Sequence, residues 1–184
     1  GGIDAKCMVA YLPQGKRDEE GLKSATEKAD AILEELGRQL ACYSERVQQA
    51  FVPDDVCRLK RAGKKAVFMG IENGYAIGRD LSQVARFRRM GVVYMTLCHN
   101  GDNDICDSAK GTGEHGGLSP FGREVVREMN RVGMMVDLAH VSERSFYDAL
   151  EASRVPVVST HSSCRALCDH PRNLTDDQIR ALAA

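Results

Sequence analysis

The sequence has no excess of charge of either sign. Its 25 Lys and Arg are offset by 26 Asp and Glu, for a formal net charge of -1. There is thus no electrostatic case for nucleic acid or an acidic membrane surface as a partner. Long hydrophobic runs are also missing, and the apolar stretches fall well short of the roughly 20 residues that a membrane-spanning helix needs. The opening stretch GGIDAKCMVAYLP has no basic region ahead of an apolar core, so no signal peptide is visible. A disulfide framework is absent too: the seven cysteines are odd in number and scattered. That pattern weakly favours reduced thiols and a reducing compartment, which tips the location slightly toward the cytoplasm and leaves secreted and membrane-anchored forms open. Cys164 and Cys168 with His170 read as half of a zinc knuckle whose other half is missing, and buried thiols are the plainer reading. The glycine-rich run from Asn100 to Gly117 contains no Gly-Lys-Ser/Thr, so it is not a phosphate-binding loop.

What is present is an alternation. The chain has 184 residues, 43% hydrophobic and 28% charged, enough for one sizeable core in a soluble domain. Apolar or β-branched runs predict strands at about 3–11, 65–71, 92–97, 134–138 and 155–160. Between them the spacing predicts helices. The apolar stripe Leu22, Ala25, Ala29, Ile32, Leu36 predicts one from Leu22 to about Gln49. Another runs from Leu81 to Met90. Ser119-Pro120 opens a third, Ser142 caps a fourth, and Thr175 with Gln178 forms a capping box for the last. Strand–helix–strand units with near-continuous apolar strands imply a parallel sheet buried on both faces.

The centre of this pattern is Gly133 to Ser163, where each of two strands ends in a histidine, His140 and His161. Two further strands end in coordination-capable residues, Glu72 and His99. Alternation alone allows a doubly wound sheet or part of an eight-stranded barrel. Chemistry-bearing residues at the ends of several successive strands favour the barrel, whose sites lie at the carboxyl ends. Zinc is well served by imidazole and carboxylate, and a carboxylate has two oxygens with which to bridge two metals. The intervals between Glu72, His140 and His161 are too long for a local motif such as HExxH, so only a fold can unite them. Taken singly, each has a bland reading: a hydrogen-bonded structural histidine, or a solvent-facing glutamate. Asp137, inside an apolar strand, reads as a brace for a neighbouring loop or ligand. The polar run 100–117 is long enough to imply function or mobility.

Four stretches carry a resemblance: GIENGYAI around Glu72, YMTLCHN around His99, GLSPFGREVVREMNRVGMMVDLAHVS around His140, and VVSTHSSCRAL with HPRNLTDD around His161 and Arg172. Together they resemble the membrane (renal-type) dipeptidase family, zinc enzymes built on an amidohydrolase-like (β/α)8 barrel. The resemblance implies an α/β TIM-barrel-like metallohydrolase, of which this chain covers about strands 2 to 6. It implies two Zn2+ per complete active site, with Glu72 bridging them and His140 and His161 completing the ligands of one. It implies His99 as the catalytic residue touching the substrate or tetrahedral intermediate. Arg172 would grip the substrate's terminal carboxylate, for which a guanidinium fork is suited. The implied reaction is hydrolysis of a dipeptide by a metal-bridging hydroxide, in a homodimer. The family's first-strand His-x-Asp pair, which supplies the other zinc, occurs nowhere here. Its late aspartate, which moves the proton, falls in a region this chain does not include. The expectation is therefore a single, incomplete barrel domain over 1–184 that by itself binds zinc weakly and does not turn over substrate. The alternatives are a non-catalytic relic or binding module, or a related amidohydrolase acting on another C–N or ester bond.

Overall fold

A computed structural model describes residues 2–184. Its frame is a parallel sheet made of β1 (Ala5–Tyr11), β2 (Val47–Gln49), β3 (Lys65–Glu72), β4 (Val92–Thr96) and β5 (Met135–Asp137). The order runs β1-β3-β4-β5. β2 pairs with the first residues of β3, Val47 opposite Lys65, and β4 with the last, Glu72 opposite Thr96. Lys65 donates to Arg46 while the next amide, Ala66, donates to Asp4. Successive amides point to opposite edges of a strand, so β2 lies on the edge of β3 away from β1.

The helices are α1 (Glu19–Cys42), α2 (Asp54–Arg61), α3 (Ser82–Arg89), α4 (Pro120–Val132), α5 (Glu143–Ala152) and α6 (Asp176–Ala183). Their starts follow from the sequence. Ser119 accepts from the Gly122 amide with Pro120 behind it, Ser142 accepts from Ser145, and Thr175 and Gln178 close a reciprocal capping box. α4 stops at Gly133, whose φ of 71° is the left-handed conformation that glycine adopts without penalty.

Strand residues alternate between two faces. Met69, Ile71, Met95 and Val136 pack into one core with Leu33 of α1, Phe87 of α3, Met129 of α4 and Phe146 of α5. Glu72, Thr96 and Asp137 belong to the other face. The amino end of that face is closed by α2, where Ala50, Leu59 and Ala66 make a small second cluster. Its carboxyl end is left to the polar residues. The architecture is α/β and TIM-barrel-like, as the strand-end pattern predicts.

Two expectations about elements are corrected. The helix expected to reach Gln49 ends at Cys42, and Val47–Gln49 is strand β2. Tyr43 and Val47 continue the helical spacing of apolar residues, so periodicity alone does not register the break. The strand expected at 155–160 survives only as a parallel bridge between Val158 and Asp137. Val158 donates to Val136 and Leu138 donates to Val158, at 2.9 and 2.7 Å. Pro156 has no amide hydrogen, so the ladder cannot extend back through it.

Candidate metal centre

Glu72 is the last residue of β3. The chain turns sharply after it because Asn73 adopts a positive φ of 95°, a conformation that asparagine tolerates better than most residues. The Asn73 side chain accepts from the Tyr75 amide and donates to the Leu12 carbonyl at 3.0 Å and to Gln14 Oε1 at 3.2 Å. The end of β3 is thereby tied to the end of β1. His140 lies three residues beyond β5, also with positive φ, 73°. For a non-glycine residue such geometry costs on the order of 1–3 kcal/mol and persists only where its surroundings enforce it. Here the Ala109 amide donates to the His140 carbonyl at 2.8 Å, and the Ser108 hydroxyl lies 3.3 Å from the same oxygen.

Those two residues belong to the polar segment 100–117, which is a strap rather than a slack loop. Asp102 accepts from the amides of Ser108, Thr112 and Gly113 and from the Thr112 hydroxyl, at 2.7–3.0 Å. Asp107 accepts from His115 and Gly117. Asn103, buried, donates to Leu97 and Asn73 and accepts from Ile105 and Cys106. Ser108 then reaches the carbonyls of both His99 and His140.

The result is convergence. Nε2 of His140 and of His161 lie 3.3 and 3.4 Å from Glu72 Oε1, and 2.8 Å from each other. One ligand atom from each of the three residues falls within 4.8 Å of the others, which marks a group able to hold a metal ion. Among the described residues no such group forms around Cys164, Cys168 and His170, where His170 Nδ1 instead accepts from the Arg172 amide. Nδ1 of His140 faces Asn100 Oδ1 at 3.2 Å. An amide oxygen only accepts, so Nδ1 carries the ring proton and Nε2 keeps its lone pair for the centre.

His99 stands at the rim of this group. Its Nε2 is 3.8 Å from Glu72 Oε1, and its ring lies between those of Tyr11 and His140, with centroids at 4.9 and 4.2 Å. Arg172 lies against the backbone of His161. Nη2 donates to the His161 carbonyl at 3.3 Å, while Nη1 is buried and has no partner among the described residues. Asp137 makes no approach to the three converging atoms. Its carboxylate accepts from the Thr96 hydroxyl (2.6 Å), the Ala139 amide (3.1 Å), the Thr160 amide (2.9 Å) and the Thr160 hydroxyl (2.8 Å), which makes it a brace.

The electrostatics match this layout. Burial lowers both His140 and His99, so both rings favour the neutral form that coordinates metal. Asn73, Asn100, Asn103 and Thr160 hold the site together, and periodicity gave no sign of them. The available signals were adjacency, each lying beside a strand-end residue or in the strap, and the left-handed tolerance of asparagine.

A parallel α/β fold with imidazoles and a carboxylate gathered at the strand ends is the kind of arrangement on which metal-dependent hydrolases are built. The comparisons make this specific. The family model for membrane dipeptidases (peptidase family M19) matches residues 1–184, and the chain belongs to that family. It is 43% identical over 178 residues to the dipeptidase tcpJ of Claviceps purpurea, covering 95% of this chain and 42% of that one. Among solved structures it superimposes on the probable dipeptidase PvdM of Pseudomonas aeruginosa with a TM-score of 0.90 at 28% identity, covering 97% and 48% of the two chains. A metallopeptidase of Rhodobacter sphaeroides, solved with a phosphinate mimic of the dipeptide L-Ala-D-Ala, shares the fold with a TM-score of 0.86 at 23% identity, covering 98% and 59%. The chain thus spans about half the length of the proteins it matches.

Proposed function

We propose that residues 1–184 supply part of a single (β/α)-barrel catalytic domain of a zinc-dependent dipeptidase, with Glu72, His140 and His161 as metal ligands. The observation that carries this reading is the convergence of Glu72 Oε1 with the two Nε2 atoms at the strand ends. Tetrahedral zinc with arms of about 2.0–2.1 Å sets its ligand atoms about 3.3–3.4 Å apart. The two Glu72–imidazole separations already have that value, and the two imidazoles need to part by only about half an ångström. The donor set, two neutral imidazoles and one carboxylate, suits zinc and leaves a coordination position open. Glu72 has a second oxygen with which to bridge a second ion, as expected for a two-zinc site.

When bound, zinc polarises the scissile carbonyl and activates the attacking water. The chain's own residues do the rest. His99, beside Glu72 at the rim, stands where a ring nitrogen can stabilise the developing oxyanion. Arg172 presents a buried donor, Nη1, with no acceptor among the described residues. A substrate carboxylate satisfies it, and a carboxylate anchored beside the ligand cluster suits a dipeptide better than a longer peptide. The homodimer implied by the resemblance belongs to this reading as well.

Arg172→Ala tests the assignment. It raises KM for a simple dipeptide by about 100-fold or more, since a charge-assisted bidentate contact is worth about 3 kcal/mol, and leaves zinc content unchanged. The assay uses the complete gene product, with a chelator control. Loss of zinc from this variant, or an unaltered KM, contradicts the assignment.

A further inference from the structure

We infer that Asp137 and Thr160 are positioning residues that fix the tautomer of His161, through a carboxylate–hydroxyl–imidazole relay. The inference rests on the order in which protons must be shared. An ionised carboxylate can only accept. Asp137 is fully buried and takes four donors, one of which is the Thr160 hydroxyl at 2.8 Å. The single proton of that hydroxyl is therefore committed to Asp137. Thr160 Oγ1 also lies 2.7 Å from His161 Nδ1. Toward this nitrogen the hydroxyl has only a lone pair to offer. His161 Nδ1 must then carry the ring proton, and Nε2 must carry the lone pair.

The direction of the relay is itself held in place. Asp137 Oδ1 is engaged by two backbone amides, Ala139 and Thr160, and Oδ2 by two hydroxyls, Thr96 and Thr160. Backbone amides can only donate, so they anchor Oδ1 as an acceptor and leave Oδ2 to set the sense of both hydroxyls. Asp137 sits at the end of β5, and Thr160 follows the bridge residue Val158 that pairs with it. The relay therefore spans two neighbouring segments of the sheet and aligns the ligand on one from the other.

There is a consequence at the centre. His140 keeps its Nε2 lone pair because Asn100 faces its Nδ1. With His161 fixed in the same way, two lone pairs and a carboxylate oxygen point at one place, with the two nitrogens 2.8 Å apart. Such an arrangement repels itself unless a cation, a metal ion or a proton, sits between the groups. The relay thus keeps the cluster arranged for metal before metal arrives. Neutral imidazole left to itself prefers its proton on Nε2, which would block coordination there.

The proposal depends on the metal reading of the site only in its affinity limb, and its spectroscopic limb stands alone. The experiment is long-range 1H–15N correlation on the 15N-histidine-labelled chain without metal, at about pH 8.5, two units above the ordinary imidazole value of about 6.5. It is paired with zinc titration against a chromophoric chelator. In the unaltered chain, His161 shows a protonated Nδ1 and a pyridine-type Nε2. Thr160→Val removes the acceptor, moves His161 toward the Nε2-protonated form and weakens zinc about 10- to 100-fold. Thr160→Ser keeps the hydroxyl and restores both readouts. Asp137→Asn is the sharpest variant. Its amide oxygen stays with the two backbone amides, its NH2 faces the hydroxyls, and the relay reverses: Thr160 donates to Nδ1 and the His161 proton moves to Nε2. Should Asp137→Asn fail to fold, the Thr160 pair decides. An Nε2-protonated His161 in the unaltered chain, or the same tautomer in Thr160→Val and Thr160→Ser, overturns the relay. Tautomers that behave as stated in a chain with no zinc affinity leave the relay standing and overturn the metal reading instead.

Discussion

Single residues fall into two kinds here, those whose chemistry shows in the sequence and those whose role is set by contact. The convergence of Glu72, His140 and His161 was legible because each closes an apolar run, and a coordination-capable residue recurring at successive strand ends says more than any one of them alone. Thr160 and Asn100 were not, since a hydroxyl or an amide in a loop is ordinary until its neighbour is known. Asp102 is the same kind of residue, and it leads to a prediction about pH. Burial alone would raise its pKa, but hydrogen bonds from Ser108, Thr112 and Glu114 outweigh that and hold it below its ordinary value of 3.8. A carboxyl lowered on folding stabilises the folded form above its unfolded value, and the contribution drains away as pH falls through the folded value. The strap 100–117 should therefore hold above the ordinary carboxylate value and loosen below it. The amide resonances of Ser108, Thr112 and Gly113 report this, staying constant from neutral pH down to about 4 and then shifting together. Because Ser108 also holds the carbonyls of His99 and His140, the same acid step should disturb both imidazoles. Shifts that begin near neutrality would show that Asp102 does not organise the strap.

Among the elements, caps were the most readable feature. Ser119, Ser142 and Thr175 each accept the backbone amide expected of them, because capping is decided within four residues. The end of α1 and the fate of 155–160 were not readable, because one depended on a sheet partner and the other on a missing proline donor. Packing between elements gives a prediction in which two effects compete. Gly122 lies in the first turn of α4, and a Cβ added there would overlap the carbonyl oxygen of Ile105 in the strap. Alanine improves helix propensity by about 1 kcal/mol. Forcing a backbone contact apart in a packed region costs about 1–3 kcal/mol. The same Ile105 carbonyl accepts from the Ser119 amide, so it cannot withdraw without breaking the helix start. Gly122→Ala should therefore lower the urea midpoint, by an amount equivalent to up to about 2 kcal/mol at unchanged slope. A raised midpoint would mean that propensity wins and the contact is slack.

At the scale of the whole molecule, the sheet order β1-β3-β4-β5 with the Val158 bridge beyond it follows the order of strands in the chain, apart from the short β2. That progression explains why alternation plus strand-end chemistry was enough to choose a barrel-like fold over a doubly wound sheet. A doubly wound sheet would break the progression at a switch point, and coordination-capable residues would not recur at strand after strand. It also explains how residues as distant in sequence as Glu72 and His161 come within 3.4 Å of one another. What no local pattern could supply was the strap, whose contacts close across the ends of several strands at once.

That three strand-end residues form a metal centre is tested most directly by zinc K-edge X-ray absorption on the concentrated, purified chain held in excess over zinc, so that even a weak site is filled. The expected first shell is nitrogen and oxygen at about 2.0–2.1 Å with the outer scattering of two imidazoles and no sulfur, replaced by that of hydrated zinc in Glu72→Gln together with His140→Asn. A first shell containing sulfur at about 2.3 Å would place the metal on cysteines such as Cys164 and Cys168, and a shell without imidazole scattering in the unaltered chain would show that the convergence serves no metal.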